Sequence, residues 1–172
     1  MFLPTDFTGS TLAIRNRAKN LKFNFPIRSV YLTDKENREI FGKCNHVNGH
    51  GHNYVVEVSI RGPVDRKTGM VMNLTELKAI MHECIMKPLD HMNIDRDVAH
   101  FSKIPSTAEN IAVFIWDAIR DKLPKPELLH EVKLFETDKN FVLYHGETTA
   151  VKPSFDRRTS ENCCANMSSD SE

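Results

Sequence analysis

A thiol and three imidazoles stand close together in residues 41–54, which read FGKCNHVNGHGHNY. One residue separates His50 from His52, so on an extended backbone both side chains leave the same face, about 6–7 Å apart. Two imidazoles at that spacing can bind Zn²⁺, which needs three or four ligands in all. A glycine-rich polar turn with both histidines in water is the alternative, and the pair alone does not decide between the two.

The sequence predicts different roles for Cys44 and Cys84. Cys44 lies six residues before His50, in a segment flanked by Gly and Asn. A partly exposed thiol near a cation ionises below its usual pKa of about 8.5 and then acts as a base or nucleophile. Cys84 falls on the apolar face of a predicted helix, where we expect a small buried hydrophobic residue. Cys44 is therefore the candidate for chemistry.

A carboxylate and an imidazole are neighbours in PLDHMNID, residues 88–95, where Asp90 directly precedes His91. A carboxylate beside an imidazole fixes its tautomer and raises its basicity, as acid–base catalysis requires. Adjacent side chains often point apart, so a surface loop is the competing interpretation.

Glu136 is out of place in the apolar stretch LHEVKLFET, residues 129–137. On a strand it shares a face with Val132 and Leu134, and a carboxylate on an apolar face costs free energy unless it meets donors. The paired N–H groups of a guanine or pterin ring would satisfy both carboxylate oxygens. A structural salt bridge is the alternative.

Alternating apolar residues predict the strands that carry these groups. They occur in residues 21–25 and 54–58, and again in residues 129–137 and 141–145. The stretch GPVDRKTG between 54–58 and Met70 to Met72 has turn residues, so we expect the latter to close a hairpin.

Two stretches have the helical period instead. One begins at Leu74 and ends near Pro88, since proline interrupts a helix. The other begins at Ser106, which forms a predicted capping pair with Glu109, and ends by Leu123. Strands joined in hairpins around two helices favour an α+β fold, with an antiparallel sheet and both helices packed on one face.

Composition limits the classes of function. The chain has 172 residues, of which 40% are apolar, and its 23 basic residues balance 23 acidic ones. One compact domain is expected, without the positive field that nucleic acids or anionic membranes attract. No apolar run approaches the ~18 residues that span a bilayer. Four cysteines without a regular framework indicate reduced thiols, and we expect a cytoplasmic protein.

Six segments taken in order resemble the 6-pyruvoyl tetrahydropterin synthase family. They are FGKCN, NGHGHNY, GMVMNL, IMKPLDHMNID, STAENIAVFIWD and HEVKLFETDKN. The resemblance implies the tunnelling fold, in which three subunits close their sheets into a barrel and two trimers stack as a homohexamer. It also implies a zinc-dependent lyase of tetrahydrobiopterin synthesis, which converts 7,8-dihydroneopterin triphosphate to 6-pyruvoyl-tetrahydropterin and releases triphosphate.

The resemblance also assigns roles to matching residues. It implies that Cys44 removes a side-chain proton and that Asp90 with His91 is the partner acid–base pair. Glu136 is similar to the catalytic-site carboxylate that anchors the pterin ring, and Thr107 borders that pocket. The chain then divides into a divergent segment 1–28 and a pterin synthase domain 29–147, and its Ser-, Asp- and Asn-rich end, residues 148–172, is expected to be a flexible tail.

The metal ligands are the one departure from the family pattern. His50 and His52 resemble two of three zinc ligands, but the position of the third, counted back from FGKCN, holds Phe25. His46 is a substitute ligand to be considered, and Mg²⁺ a second cofactor. Because two histidines bind zinc more weakly than three, a catalytically weak pterin-binding or assembly subunit is the alternative function. The related carboxy-tetrahydropterin synthase of deazapurine synthesis is a third interpretation.

Overall fold

The computed structural model describes residues 11–46 and 50–146, and its strands form one antiparallel sheet. The strands follow the order β1-β2-β3-β4 across the sheet. They are β1 Thr11–Phe25, β2 His50–Pro63, β3 Leu129–Phe135 and β4 Phe141–Tyr144. The sequence-predicted strands near residues 21–25, 54–58, 129–137 and 141–145 are thus present, and β1 and β2 are longer than expected.

Helices occupy the connections between β1 and β2 and between β2 and β3. They are α1 Asp34–Phe41, α2 Leu74–Met81, α3 Lys87–Leu89, α4 Ile94–Asp97 and α5 Ala108–Lys122. A π-turn, His82–Met86, joins α2 to α3, with the Lys87 N–H bonded to the His82 carbonyl. This wider turn carries the helix past Pro88 to Leu89, one residue beyond the predicted end.

The core lies between the sheet and α2 and α5. Along β2 every second residue from Tyr54 to Ile60 is fully buried, which is the period expected of a strand with one face in the core. These side chains form one cluster with Leu77 of α2 and Ile115 of α5. Each such burial stabilises the fold by about 1.5–3 kcal/mol. On the other face of the sheet, Phe141 of β4 is exposed. The predicted α+β class with an antiparallel sheet is confirmed.

The predicted strand at Met70 to Met72 is wrong. Residues 64–69 form a tight loop, in which the Gly69 N–H donates to the Asp65 carbonyl at 2.8 Å and the Asp65 N–H to the Met70 carbonyl at 2.9 Å. The chain then reaches Asn73, the N-cap of α2. Since β2 already pairs with β1 on one side and β3 on the other, it has no free edge for a hairpin partner.

Two details of the helices also differ from expectation. Thr107, and not Ser106, is the N-cap of α5, because its hydroxyl accepts the Asn110 N–H at 3.4 Å while Ser106 is buried. Helix α1 was not predicted, although Thr33 and Glu36 form the reciprocal capping box that marks its start. The predicted tail 148–172 and residues 1–10 lie outside the described part of the chain.

Candidate functional site

Cys44 lies in a 3₁₀ turn, Gly42–Asn45, directly after α1. Gly42 ends the helix with φ 51°, a conformation that favours glycine, and so turns the chain into the thiol segment. The carbonyl of Cys44 accepts the Ile27 N–H at 2.9 Å, which fastens this turn to the segment that follows β1. The thiol is half-buried and free of any disulfide.

A buried amide holds the loop in front of this turn. The Asn37 side chain accepts the Ser29 N–H at 2.8 Å and donates to the carbonyls of Ser29, Leu32 and Thr33. Asn37 is fully buried, so these bonds replace those that water would make. They fix α1, and with it Cys44, against the end of β1.

His50 and His52 begin β2 and, by strand alternation, occupy the face that farther along carries the buried core. In the antiparallel register Phe25 pairs with His50 and Phe23 pairs with His52. Directly opposite residues of antiparallel strands share a face, so β1 presents phenylalanine positions to both histidines. The imidazole of His50 is outside the described side chains.

The imidazole of His52 meets two side chains at the end of the core. Its Nε2 lies 3.8 Å from Oε1 of Glu136, and its ring stands edge-on to the ring of Tyr54 at 6.0 Å. Glu136 follows the last residue of β3 and has the face of Val132 and Leu134, as the sequence predicted. The Tyr54 hydroxyl donates to the same Oε1 at 3.2 Å. Tyr54 therefore links the imidazole and the carboxylate.

Tyr54 and Glu109 are site residues that the sequence reasoning did not single out as functional. Burial raises the pKa of the Tyr54 phenol far above its usual range, and the negative charges of Glu136, Cys44 and Glu109 raise it further. Tyr54 thus stays a neutral hydrogen-bond donor among acidic groups. Its place at the polar end of the core face of β2, NYVVEVSI, was the available signal.

Asp90 and His91 do meet. Nδ1 of His91 lies 3.0 Å from Oδ2 of Asp90, which removes the objection that adjacent side chains point apart. His91 has φ 61°, a left-handed conformation that is unusual for a residue with a Cβ. This bend turns the imidazole back towards the carboxylate. The Asp90 side chain is about three-quarters buried and the His91 side chain largely exposed.

Thr107 caps the N-terminus of α5, and Glu109 stands two residues farther along. The charge of Glu109 also raises the pKa of the Tyr54 phenol. The structure therefore brings His52 and Glu136 together at Tyr54, and Thr107 caps the helix that carries Glu109.

A zinc site needs three or four donor groups around the ion. Within the described side chains, no group of three or more His, Cys, Asp or Glu is arranged to hold one. His50 and His52 are alternate residues of β2 and so suit two positions of a zinc site, whereas Phe25, paired with His50, is a residue type without a donor atom. His46 is exposed at the end of the thiol turn. The residues fit part of a zinc site.

Fold and site together define an α+β protein with an antiparallel sheet, a half-buried carboxylate beside an imidazole at one end of that sheet, and a free thiol in the turn after α1. A sequence model of the 6-pyruvoyl tetrahydropterin synthase family matches residues 20–147. The chain therefore belongs to that family.

Named relatives agree. The chain is 53% identical over 148 residues to the 6-pyruvoyl tetrahydrobiopterin synthase of Drosophila melanogaster, covering 85% of this chain and 88% of the relative. It is 55% identical over 119 residues to that of Homo sapiens, covering 69% and 81% respectively. The solved 6-pyruvoyl tetrahydropterin synthase of Caenorhabditis elegans superposes with a TM-score of 0.77 at 38% identity, over 80% of this chain and 97% of the other.

No helix within residues 11–46 and 50–146 combines the length and apolar character of a membrane-spanning segment.

Proposed function

We propose that this protein is a carbon–oxygen lyase that converts 7,8-dihydroneopterin triphosphate to 6-pyruvoyl-tetrahydropterin, releasing triphosphate, in tetrahydrobiopterin synthesis. The observation that carries the proposal is the meeting of Glu136 with Tyr54 and His52 at the end of the sheet that also holds Cys44. Family membership and the names of the Drosophila and human relatives support the same reaction.

Each group has a role suited to its surroundings. Glu136, half-buried beside an apolar core, would bind the paired N–H groups of the pterin ring through its two oxygens. Cys44, free and partly exposed, would remove a proton from the substrate side chain. Asp90 orients the imidazole of His91, which can donate or accept a proton as the side chain rearranges. Thr107, the N-cap of α5, would border the ring site.

Zinc is the proposed cofactor, and His50 and His52 are the residues that would hold it. A bound Zn²⁺ would polarise the substrate's side-chain oxygens and make the adjacent C–H bond more acidic. Because β1 supplies Phe25 opposite His50, we expect weaker metal binding than by a three-histidine site. Mg²⁺ is a further candidate because it pairs with substrate phosphates, and a chelation series in the assay tests it.

Assembly is part of the proposal. The sheet face away from α2 and α5 exposes Phe141 and Leu143, which are 47% and 45% exposed in the single chain. Large apolar side chains on an open sheet face favour association with further copies of the chain. We propose closure into a trimeric barrel and stacking to a hexamer in the cytoplasm, where the free thiols of Cys44 and Cys84 fit the reducing conditions. Light scattering would give the mass.

The reaction is tested with purified protein and 7,8-dihydroneopterin triphosphate, by measuring released triphosphate and identifying the pterin product. Replacing the proposed base, Cys44→Ala, should lower turnover by about 10²–10⁴-fold while pterin binding persists. Cys84→Ala is the matched control, because that thiol is buried and donates to the Ala118 carbonyl at 3.2 Å. It should retain turnover.

Other outcomes would point elsewhere. A carboxylated pterin product from the same substrate would assign the chain to deazapurine synthesis. Pterin binding without turnover, unchanged in Cys44→Ala, would indicate a binding or assembly subunit. Absence of both binding and turnover would refute the proposed function.

A further inference from the structure

We propose that Tyr54 is a positioning residue for the pterin anchor: its hydroxyl holds one oxygen of Glu136 and thereby fixes the plane of the carboxylate that receives the ring. This inference rests on the proposed pterin site. It assigns no direct contact with substrate to Tyr54, which acts through Glu136.

The side chains of Tyr54 and Glu136 differ in their conformational freedom. Tyr54 is fully buried, so packing fixes its ring. Glu136 lies beyond the end of β3, where its backbone N–H bonds to the Asn140 carbonyl at 3.0 Å, and about a quarter of its side chain is exposed. A glutamate has three rotatable side-chain bonds, so its carboxylate needs a fixed partner to keep one orientation. The Tyr54 hydroxyl, 3.2 Å from Oε1, is such a partner.

The hydrogen bond from Tyr54 leaves the Glu136 carboxylate available to a ligand. An ionised carboxylate has about four acceptor positions, two on each oxygen. Tyr54 uses one position on Oε1, so both oxygens can still accept an N–H group from a planar ligand. The phenol fixes the anchor without competing for both of its oxygens.

Packing of the core does not require the hydroxyl of Tyr54. The next buried residues on the same face of β2 are Val56, Val58 and Ile60, all aliphatic. A purely apolar side chain at position 54 would continue that pattern. The aromatic ring of Tyr54 fills the core position, while its hydroxyl reaches past the core to Glu136.

Tyr54 also contacts His52. The ring of Tyr54 stands at 82° to the imidazole of His52, whose Nε2 is 3.8 Å from the oxygen that Tyr54 binds. Tyr54 thus sets the separation between the ring anchor and the imidazole on the proposed metal side. That separation determines where the side chain of a bound pterin lies relative to the metal.

The test removes the hydroxyl alone. Tyr54→Phe should raise the Kd for 7,8-dihydroneopterin and the KM for its triphosphate about tenfold, the expected loss for a hydrogen bond to a charged group. kcat and zinc content should stay near wild type. Tyr144→Phe is the matched control, because its ring packs against Trp116 at 5.4 Å elsewhere on the sheet, and it should bind like wild type.

A double-mutant cycle with Glu136→Ala, which removes the acceptor of the Tyr54 hydroxyl, then distinguishes positioning from a structural role. If Tyr54 acts through Glu136, Tyr54→Phe should weaken binding little further when Glu136→Ala is already present. Equal weakening in both backgrounds, or wild-type binding by Tyr54→Phe, would overturn the inference. Tyr54-dependent binding in a protein without turnover would refute the proposed lyase but not the positioning. Failure of the wild type to bind the pterin would overturn both.

Discussion

Phe25 lies directly opposite His50 in the antiparallel register of β1 and β2. The family resemblance assigns the third ligand of the proposed zinc site to position 25. The strand pairing sets position 25 beside His50. Opposed Cα atoms in such a pair are about 4.5–5.5 Å apart, so a side chain at position 25 shares the face of His50. The β1 position beside the proposed metal site therefore holds a phenyl ring.

Phe25→His should strengthen zinc binding by about tenfold or more, since a third imidazole brings the donor set to the number that catalytic zinc sites use. Competition with a chromophoric chelator measures this change. Asn24→His is the matched control, because Asn24 pairs with Gly51 and lies on the opposite face of the sheet. Equal zinc affinity in wild type and both variants would mean that another group already completes the site.

The left-handed conformation of His91, with φ 61°, predicts an unusual ranking of substitutions. Both His91→Ala and His91→Gly remove the imidazole and should abolish the dyad. Glycine adopts this φ without the clash of a Cβ, so His91→Gly should be more stable than His91→Ala by about 1 kcal/mol. Urea denaturation of the two variants measures the difference.

His82 provides the opposite case for the same pair of substitutions. It is exposed and has helical angles, φ −61° and ψ −47°. There His82→Ala should be more stable than His82→Gly by about 1 kcal/mol. The same order at both positions would show that the backbone at His91 is not strained.

The sequence predicted the parts of the fold that depend on periodicity. Strands β2 and β3 alternate because one face is buried, and Glu136 was assigned to that face from its parity with Val132 and Leu134. The pairing partners of β2 were not predictable from its own residues. Met70 to Met72 resembled a strand locally, but β1 and β3 already occupied both edges of β2.

The candidate site was predictable by residue type and not by contact. Cys44, His52 and Glu136 were found by their chemistry, whereas Tyr54 was hidden because an aromatic residue at the start of a strand predicts core packing. The Asp90 and His91 contact depends on the φ of His91, a backbone property that residue identity does not reveal. The α1 capping box, Thr33 with Glu36, was present in the sequence and went unused.

Asn37 should contribute strongly to the stability of the loop and helix that precede Cys44. Asn37→Ala removes a fully buried amide that accepts the Ser29 N–H and donates to the carbonyls of Ser29, Leu32 and Thr33. The Ser29 N–H then lacks that partner. We expect a loss of about 3 kcal/mol in the free energy of unfolding. Asn37→Asp keeps only the acceptor and should also be destabilised. Glu39→Ala, on the exposed surface of α1, should change stability little.

Asp95, in the first turn of α4, predicts a pH-dependent effect of removing a charge. Burial raises the pKa of its half-buried carboxyl above the ordinary 3.8, so the folded state holds the proton more tightly than the unfolded state. Its ionised form therefore destabilises the fold at neutral pH. Asp95→Asn should raise the Tm at pH 7. This increase in Tm should shrink as the pH falls and vanish below pH 3.8.

Asp65 should give the opposite sign. The N–H and hydroxyl of Thr68 and the N–H of Lys67 bond to its carboxylate and lower its pKa below 3.8. The ionised form of Asp65 thus stabilises the folded state above pH 3.8. That contribution is lost as the pH falls through the lowered pKa of Asp65. Asp65→Asn should lower the Tm at pH 7 and approach wild type in acid. Melting curves from pH 3 to 8 that shift both variants in the same direction would contradict the burial argument for Asp95.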